Sequence, residues 1–291
     1  MNYRHAFHAG NFADVVKHIV LTRMLTYLHD KPAAFRVIDS HAGAGLYDLT
    51  GPEAARGGEW RLGIARLMQA RLSPKVAALV APYLDIVRSF NDGGDLRAYP
   101  GSPLIARALL RPQDRLTACE LEPKARKALI AALYNDVQAR VVDLDGFTAH
   151  TAFVPPKERR GVVLIDPPFE APDEFSRLAA GFAAAFAKWP TGSYLVWYPV
   201  KRRRAADELA AAVSHAVAAA PSKASGLRLE FSVAPQEEGG GLVSAGLLIV
   251  NPPWTLRDEL KAILPDLARP LGQGGPGRFR LAALGSGLGS A

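Results

Sequence analysis

The chain has 291 residues, 49% of them hydrophobic, enough to bury a full core as one large domain or as one domain carrying an insert. Its single cysteine, Cys119, excludes an internal disulfide and a cysteine-held zinc, and no apolar run approaches the roughly 20 residues that span a bilayer. A net charge of +7 and a pI near 9.6 fit a polyanionic partner, because Lys and Arg displace counterions from phosphates.

The opening residues contain no apolar signal region, so a cytoplasmic location is expected. Tyr3, Arg4, His5, Phe7 and His8 mix aromatic and basic side chains without an apolar period. Such a mix either stacks on RNA and neutralises it, or packs the terminus onto the body. Asn11 or Asp14 caps a predicted helix from Ala13 to Asp30, whose Val15, Val16, Ile19, Val20 and Met24 recur at helical spacing. Lys17 and His18 on this helix read as groups that close over a cofactor and an RNA backbone. His5, His8 and His18 lack matching carboxylate or cysteine spacing, so no metal is expected.

Phe35 to Asp39 reads as the first strand, and Ser40-His41-Ala-Gly-Ala-Gly45 as the loop after it. Gly43 and Gly45 let the backbone approach a ligand closely. The third glycine of a dinucleotide fingerprint is replaced by Asp48, which disfavours NAD and FAD and suits a phosphate-free ligand such as S-adenosylmethionine. The next strand, Leu116 to Glu120, ends in an acid 75 positions after Gly45. A Rossmann-type unit needs only about 20 residues there, so roughly 50 residues are inserted. The insert is assigned to 46–99, with helices Trp60 to Gln69 and Val76 to Phe90, and the main domain to 1–45 and 100–291. Tyr99-Pro-Gly-Ser102-Pro103 returns the chain to the body, before a helix from Leu104 to Leu110.

Glu120 is either a ribose ligand or a helix-start acid before Pro123. The helix Lys124 to Tyr134 and the strand Ala139 to Asp143 follow. Asp145-Gly146 is then a turn, or an acceptor for an adenine amine. Val162 to Ile165 forms a buried strand stopped by Asp166-Pro167-Pro168-Phe169, since neither proline donates to a ladder. After it come a helix Asp173 to Trp189, a strand Ser193 to Val200, the basic run Lys201 to Arg204, a helix Ala205 to Ala219, and strands Leu227 to Val233 and Ala245 to Val250. The alternation predicts a Rossmann-like α/β sheet of seven strands with an antiparallel edge. The glycine-rich segments Gly272 to Gly277 and Gly285 to Gly289 are expected to be mobile.

Asp166 with Pro167, Pro168 and Phe169 suits transfer to an exocyclic adenine amine. The N6 lone pair is delocalised into the ring until acceptors draw the nitrogen towards tetrahedral geometry. The Asp166 carboxylate and the Pro167 carbonyl would be those acceptors, Asp166 would take the proton, and Phe169 would stack on a base drawn out of its helix. Asn251-Pro-Pro-Trp254 fits the same loose pattern but ends the closing hairpin, away from the glycine loop.

Together the block Tyr3 to Asn11, His41 to Gly45, Tyr99 to Pro103, Asp145-Gly146, Asp166 to Phe169 and Leu195 to Pro199 resembles the ribosomal RNA large subunit methyltransferase J family. The resemblance implies a seven-stranded S-adenosylmethionine-dependent methyltransferase fold with an inserted small helical subdomain, acting on N6 of an adenine in 23S rRNA; a monomer is expected, although the sequence leaves the oligomeric state open. It further implies cofactor contacts at His18, His41, Ser102, Glu120, Asp145, Gly146 and Asp166, beside Gly43 and Gly45. RNA contacts fall to Tyr3, with Arg4, His5 and Lys17. The family's commoner aromatic after the prolines is Tyr, so Phe169 keeps the stacking face without the hydroxyl. A DNA adenine methyltransferase would show a separate target-recognition domain, and a catalytically idle RNA-binding module would not need Asp166. A phosphate-releasing enzyme lacks its loop here.

Overall fold

The structure is a computed structural model that describes residues 5–220, 223–237 and 240–285. Helix α1 (Phe12–Leu28) starts where the Asn11 side chain accepts from the amides of Ala13 and Asp14. Its residues are buried almost all round, the apolar ones joining the larger core and Asp14, Lys17, His18 and Thr22 buried among them. Strand β1 (Arg36–Asp39) follows, and the chain then leaves the sheet. A short hairpin, β2 (Leu46–Asp48) with β3 (Ala98–Pro100), brackets helices α2 (Pro52–Gly57), α3 (Glu59–Leu62), α4 (Ile64–Gln69) and α5 (Pro74–Ser89).

The main alternation resumes with α6 (Ser102–Ala108), β4 (Arg115–Cys119), α7 (Pro123–Ala132), β5 (Ala139–Val142), α8 (Gly146–Ala152) and β6 (Gly161–Ile165). It continues through α9 (Glu174–Lys188), β7 (Ser193–Pro199), α10 (Arg203–Ala218), β8 (Gly226–Ser232), β9 (Ser244–Val250), α11 (Leu256–Leu271) and β10 (Arg278–Ala283). The sheet runs β10-β8-β9-β7-β6-β1-β4-β5, with β7 to β5 parallel and the last three strands antiparallel. β1 lies between β4 and β6, so the order reverses beside it, where open sheets bind ligands. The register sets Asp39 opposite both Ala118 and Leu164, which lines up the carboxyl ends of β1, β4 and β6.

The main sheet has eight strands rather than the seven expected, because Arg278–Ala283 pairs antiparallel with β8. The residue pattern hides that segment because it is an edge strand: Arg278, Phe279 and Arg280 stay exposed, and main-chain pairing rather than an apolar face holds it. Gly272 to Gly277, expected to be mobile, is a structured turn in which Gly277 N donates to Ala268 O. The Gly285 to Gly289 segment falls, apart from Gly285, outside the described residues. The helices between β2 and β3 lie against α1 and α11, fastened where Ser73 N donates to Asp266 and Arg66 to the Gly272 carbonyl.

Candidate active site

Strand β6 is buried along its whole length, and Asp166 emerges from its end with a side chain 15% exposed. The Lys17 ammonium, from α1, is bonded to that carboxylate and lies 2.8 Å from Asp14 Oδ1. Burial favours the neutral amine, but Asp14 and Asp166 outweigh it and hold Lys17 above its ordinary value. Asp14 in turn takes His5 Nε2 at 2.9 Å and the Gly10 amide at 3.0 Å. Burial raises its carboxyl, yet His5 and Lys17 together keep it well below the usual carboxylate range. A hydrogen-bonded chain His5, Asp14, Lys17, Asp166 therefore runs into the crevice. Lys17 was expected to face RNA; it points inward instead, 3% exposed, because two carboxylates satisfy it. His5 is half-buried on Asp14, while Tyr3 and Arg4 lie outside the described residues.

His18 stacks on Tyr99 and bonds its hydroxyl through Nδ1 at 2.7 Å, and Tyr99 meets the Tyr83 hydroxyl at 2.9 Å. Burial, with the Lys17 charge beside it, keeps this imidazole neutral, and its Nε2 is buried without a partner. Tyr99 arrives through β3, so the segment between β2 and β3 helps to fix His18 and delivers Ser102 to the same side.

The loop after β1 carries Gly43 and Gly45 at φ +65° and +80°, a region that favours glycine. A Cβ on Gly43 would run into the Tyr47 hydroxyl, and one on Gly45 would sit 2.9 Å from Leu129 Cδ1. Glu120, just past β4, accepts the Gly43 amide at 2.7 Å and the Glu122 amide at 2.8 Å. Burial raises its carboxyl, opposed by those two amides. His41 holds Ser40 Oγ at 2.9 Å through Nδ1 and leaves Nε2 buried without a partner against Gly146. Asp145 caps α8, accepts from Arg177 at 3.3 Å, and Arg177 lies 4.0 Å over the Phe147 ring.

Asp39, at the end of β1, was not singled out from the sequence, although the acid-at-a-strand-end logic applied to Glu120 and Asp166 reaches it too. It is fully buried, and neither carboxylate oxygen has a hydrogen-bond partner in proper geometry. Burial pushes its carboxyl up to about 7, with the nearby Ser102 hydroxyl and Lys17 ammonium offsetting only part of that.

Phe169 adopts φ +53°, which an aromatic residue seldom does, and its ring packs on Phe175 at 4.8 Å and edge-on to Trp197 at 5.7 Å. Asn251 lies elsewhere. Because β9 runs antiparallel to β7, with Val250 beside Tyr194, Asn251 falls at the amino end of the parallel strands. There its amide bonds the carbonyls of Pro190 and Gly192 at 2.9 and 2.8 Å.

Residues 32–282 match the family model described as Ribosomal RNA large subunit methyltransferase D, RlmJ. The chain is 40% identical over 277 residues to ribosomal RNA large subunit methyltransferase J of Escherichia coli, covering 95% of this chain and 96% of that protein. It is 38% identical to the protein of the same name from Haemophilus influenzae, covering 96% and 97%. A crystal structure of a Legionella pneumophila protein superposes with a TM-score of 0.84 at 33% identity, over 96% of this chain and 99% of the other.

Proposed function

The chain belongs to the ribosomal RNA large subunit methyltransferase family, whose reaction is S-adenosylmethionine-dependent methylation of an adenine N6 in 23S rRNA, and we propose that it performs that reaction at the carboxyl end of β6. The observation that carries this is Asp166, bonded to Lys17 and at the same sheet end as the glycine loop.

The residues of the crevice fit the cofactor. Gly43 and Gly45 hold the loop backbone at positive φ, Gly146 packs directly on His41, and the unpartnered oxygens of Asp39 suit an ammonium group. Glu120 keeps lone pairs for ribose hydroxyls, Asp145 and Gly146 border a place for an adenine, and the free Nε2 atoms of His18 and His41 and the Ser102 hydroxyl complete the polar lining. When bound, S-adenosylmethionine supplies an electrophilic methyl group.

The chain's own residues do the rest. Asp166 and the Pro167 carbonyl accept the two N–H bonds of the target amine, which localises the nitrogen lone pair. Pro167 and Pro168 bring no N–H to compete for the carboxylate. Lys17 holds that carboxylate in place, and Asp166 takes the proton that N6 releases. Phe169 presents a ring to the base. His5, with Tyr3 and Arg4, is proposed to meet the RNA at the mouth, and the segment 46–99 to act as an inserted subdomain that braces His18 through Tyr99.

The test is tritium transfer from labelled S-adenosylmethionine to protein-free 23S rRNA, with genomic DNA and tRNA as alternatives, followed by nucleoside analysis. The expected product is N6-methyladenosine in 23S rRNA alone. Transfer to DNA instead would overturn the substrate assignment.

A further inference from the structure

The run Lys201-Arg202-Arg203-Arg204 follows β7 directly, and the fold divides it in two. Arg203 reaches across to the nearly buried Glu230 at 2.7 Å, in a network with Arg228 and Tyr198, and Arg204 pairs with Glu208 one helical turn on at 2.7 Å. Lys201 and Arg202 are exposed and have no ion pair among the described residues. They also stand at the start of α10, which has neither a side-chain cap nor an acid in its first turn. Cations at the positive end of a helix are unfavourable, so the sequence keeps charge where folding alone would not place it.

Both residues line a cleft of about 90 Å³ whose other walls are Phe169, Ala171, Phe175 and Pro199. The cleft therefore opens beside the aromatic residue that follows Asp166. An apolar, aromatic floor with a cationic rim has the make-up of a single-stranded nucleotide site: rings for a base, cations for the phosphate.

We propose that Lys201 and Arg202 clamp the backbone phosphate of the nucleotide next to the target adenosine, whose base or sugar sits against Phe175 and Pro199. This rests on Asp166 as the reacting end of the site and adds the grip that holds the strand across it. Arg203 and Arg204 take no part, being held by carboxylates.

The experiment measures affinity for protein-free 23S rRNA across a range of salt for the full chain, for Lys201→Gln/Arg202→Gln, and for a charge-matched control, Arg204→Gln/Lys223→Gln. The clamp variant should bind on the order of 10-fold more weakly near physiological salt, and its plot of log K against log salt should flatten by about 0.7 for each phosphate that is no longer neutralised. S-adenosylmethionine affinity should not change, and saturating RNA should restore kcat while KM rises. An unchanged slope in the clamp variant, or an equal loss in the control, overturns the proposal. Asp166→Asn separates the two assignments, since it should lose transfer and keep wild-type RNA affinity and slope. If the full chain failed to methylate 23S rRNA while the clamp variant still lost affinity and slope, only the reaction assignment would fall.

Discussion

The Lys17 ammonium is bonded to the Asp166 carboxylate across 149 residues of sequence, joining the first long helix to the end of β6. The bond gives the carboxylate an orientation before any substrate arrives. Asp166→Asn should therefore slow methyl transfer by about 10²–10⁴-fold, the range for losing a positioned proton acceptor. Circular dichroism should stay close to wild type, because Lys17 keeps Asp14. Normal turnover in this variant would remove Asp166 from the mechanism.

Lys17→Met should cost both stability and activity. It leaves Asp14 and Asp166 facing a buried gap, and breaking a buried charge pair from one side costs roughly 3–5 kcal/mol. Urea unfolding measures the first effect and single-turnover transfer the second. A fully stable but inactive Lys17→Met protein would mean that the lysine contributes to chemistry without holding the fold.

Gly43→Ala should weaken S-adenosylmethionine binding more than it weakens the fold. The left-handed conformation costs a non-glycine residue about 1–2 kcal/mol, and the new methyl group meets the Tyr47 hydroxyl beside the Glu120 hydrogen bond. Calorimetric titration against thermal unfolding separates the two losses. Unaltered cofactor affinity would place the cofactor away from this loop.

Asp39 makes stability depend on pH in the sense opposite to Asp14. Its folded carboxyl is raised to about 7 from an ordinary 3.8. The folded protein thus holds a proton that the unfolded chain releases near pH 4. The stabilisation is complete below pH 4 and is lost as the pH climbs to about 7, by up to roughly 4 kcal/mol. Asp39→Asn should flatten this fall and raise the melting temperature at pH 8 relative to wild type. An unchanged slope between pH 4 and 7 would show that Asp39 is ionised throughout.

Asn251→Ala should leave methyl transfer intact and lower stability by about 1–2 kcal/mol, through loss of two carbonyl partners. Chemical denaturation and a transfer assay on the same preparation decide it. A large drop in kcat would contradict its place at the far end of the sheet.

The sequence by itself determined the local parts of the site. A β-branched run stopped by two prolines must end as a strand and present Asp166, and glycines with positive φ mark a close approach, because these are consequences of one residue's own geometry. The 75 positions between Gly45 and Glu120 likewise revealed that something lay between two halves of a βα pattern. Only the tertiary structure decided the relations that depend on packing. Whether Lys17 faced RNA or the interior turned on Asp14 and Asp166 both being within reach. The place of Asn251 away from the glycine loop, by contrast, was already readable from the closing hairpin, and β9 running antiparallel to β7 agrees with it. Which two cations of a run of four stayed free turned on Glu230 and Glu208. The eighth strand was invisible for a related reason: an edge strand is held by the backbone of its neighbour, and main-chain hydrogen bonds leave little trace in the side-chain pattern.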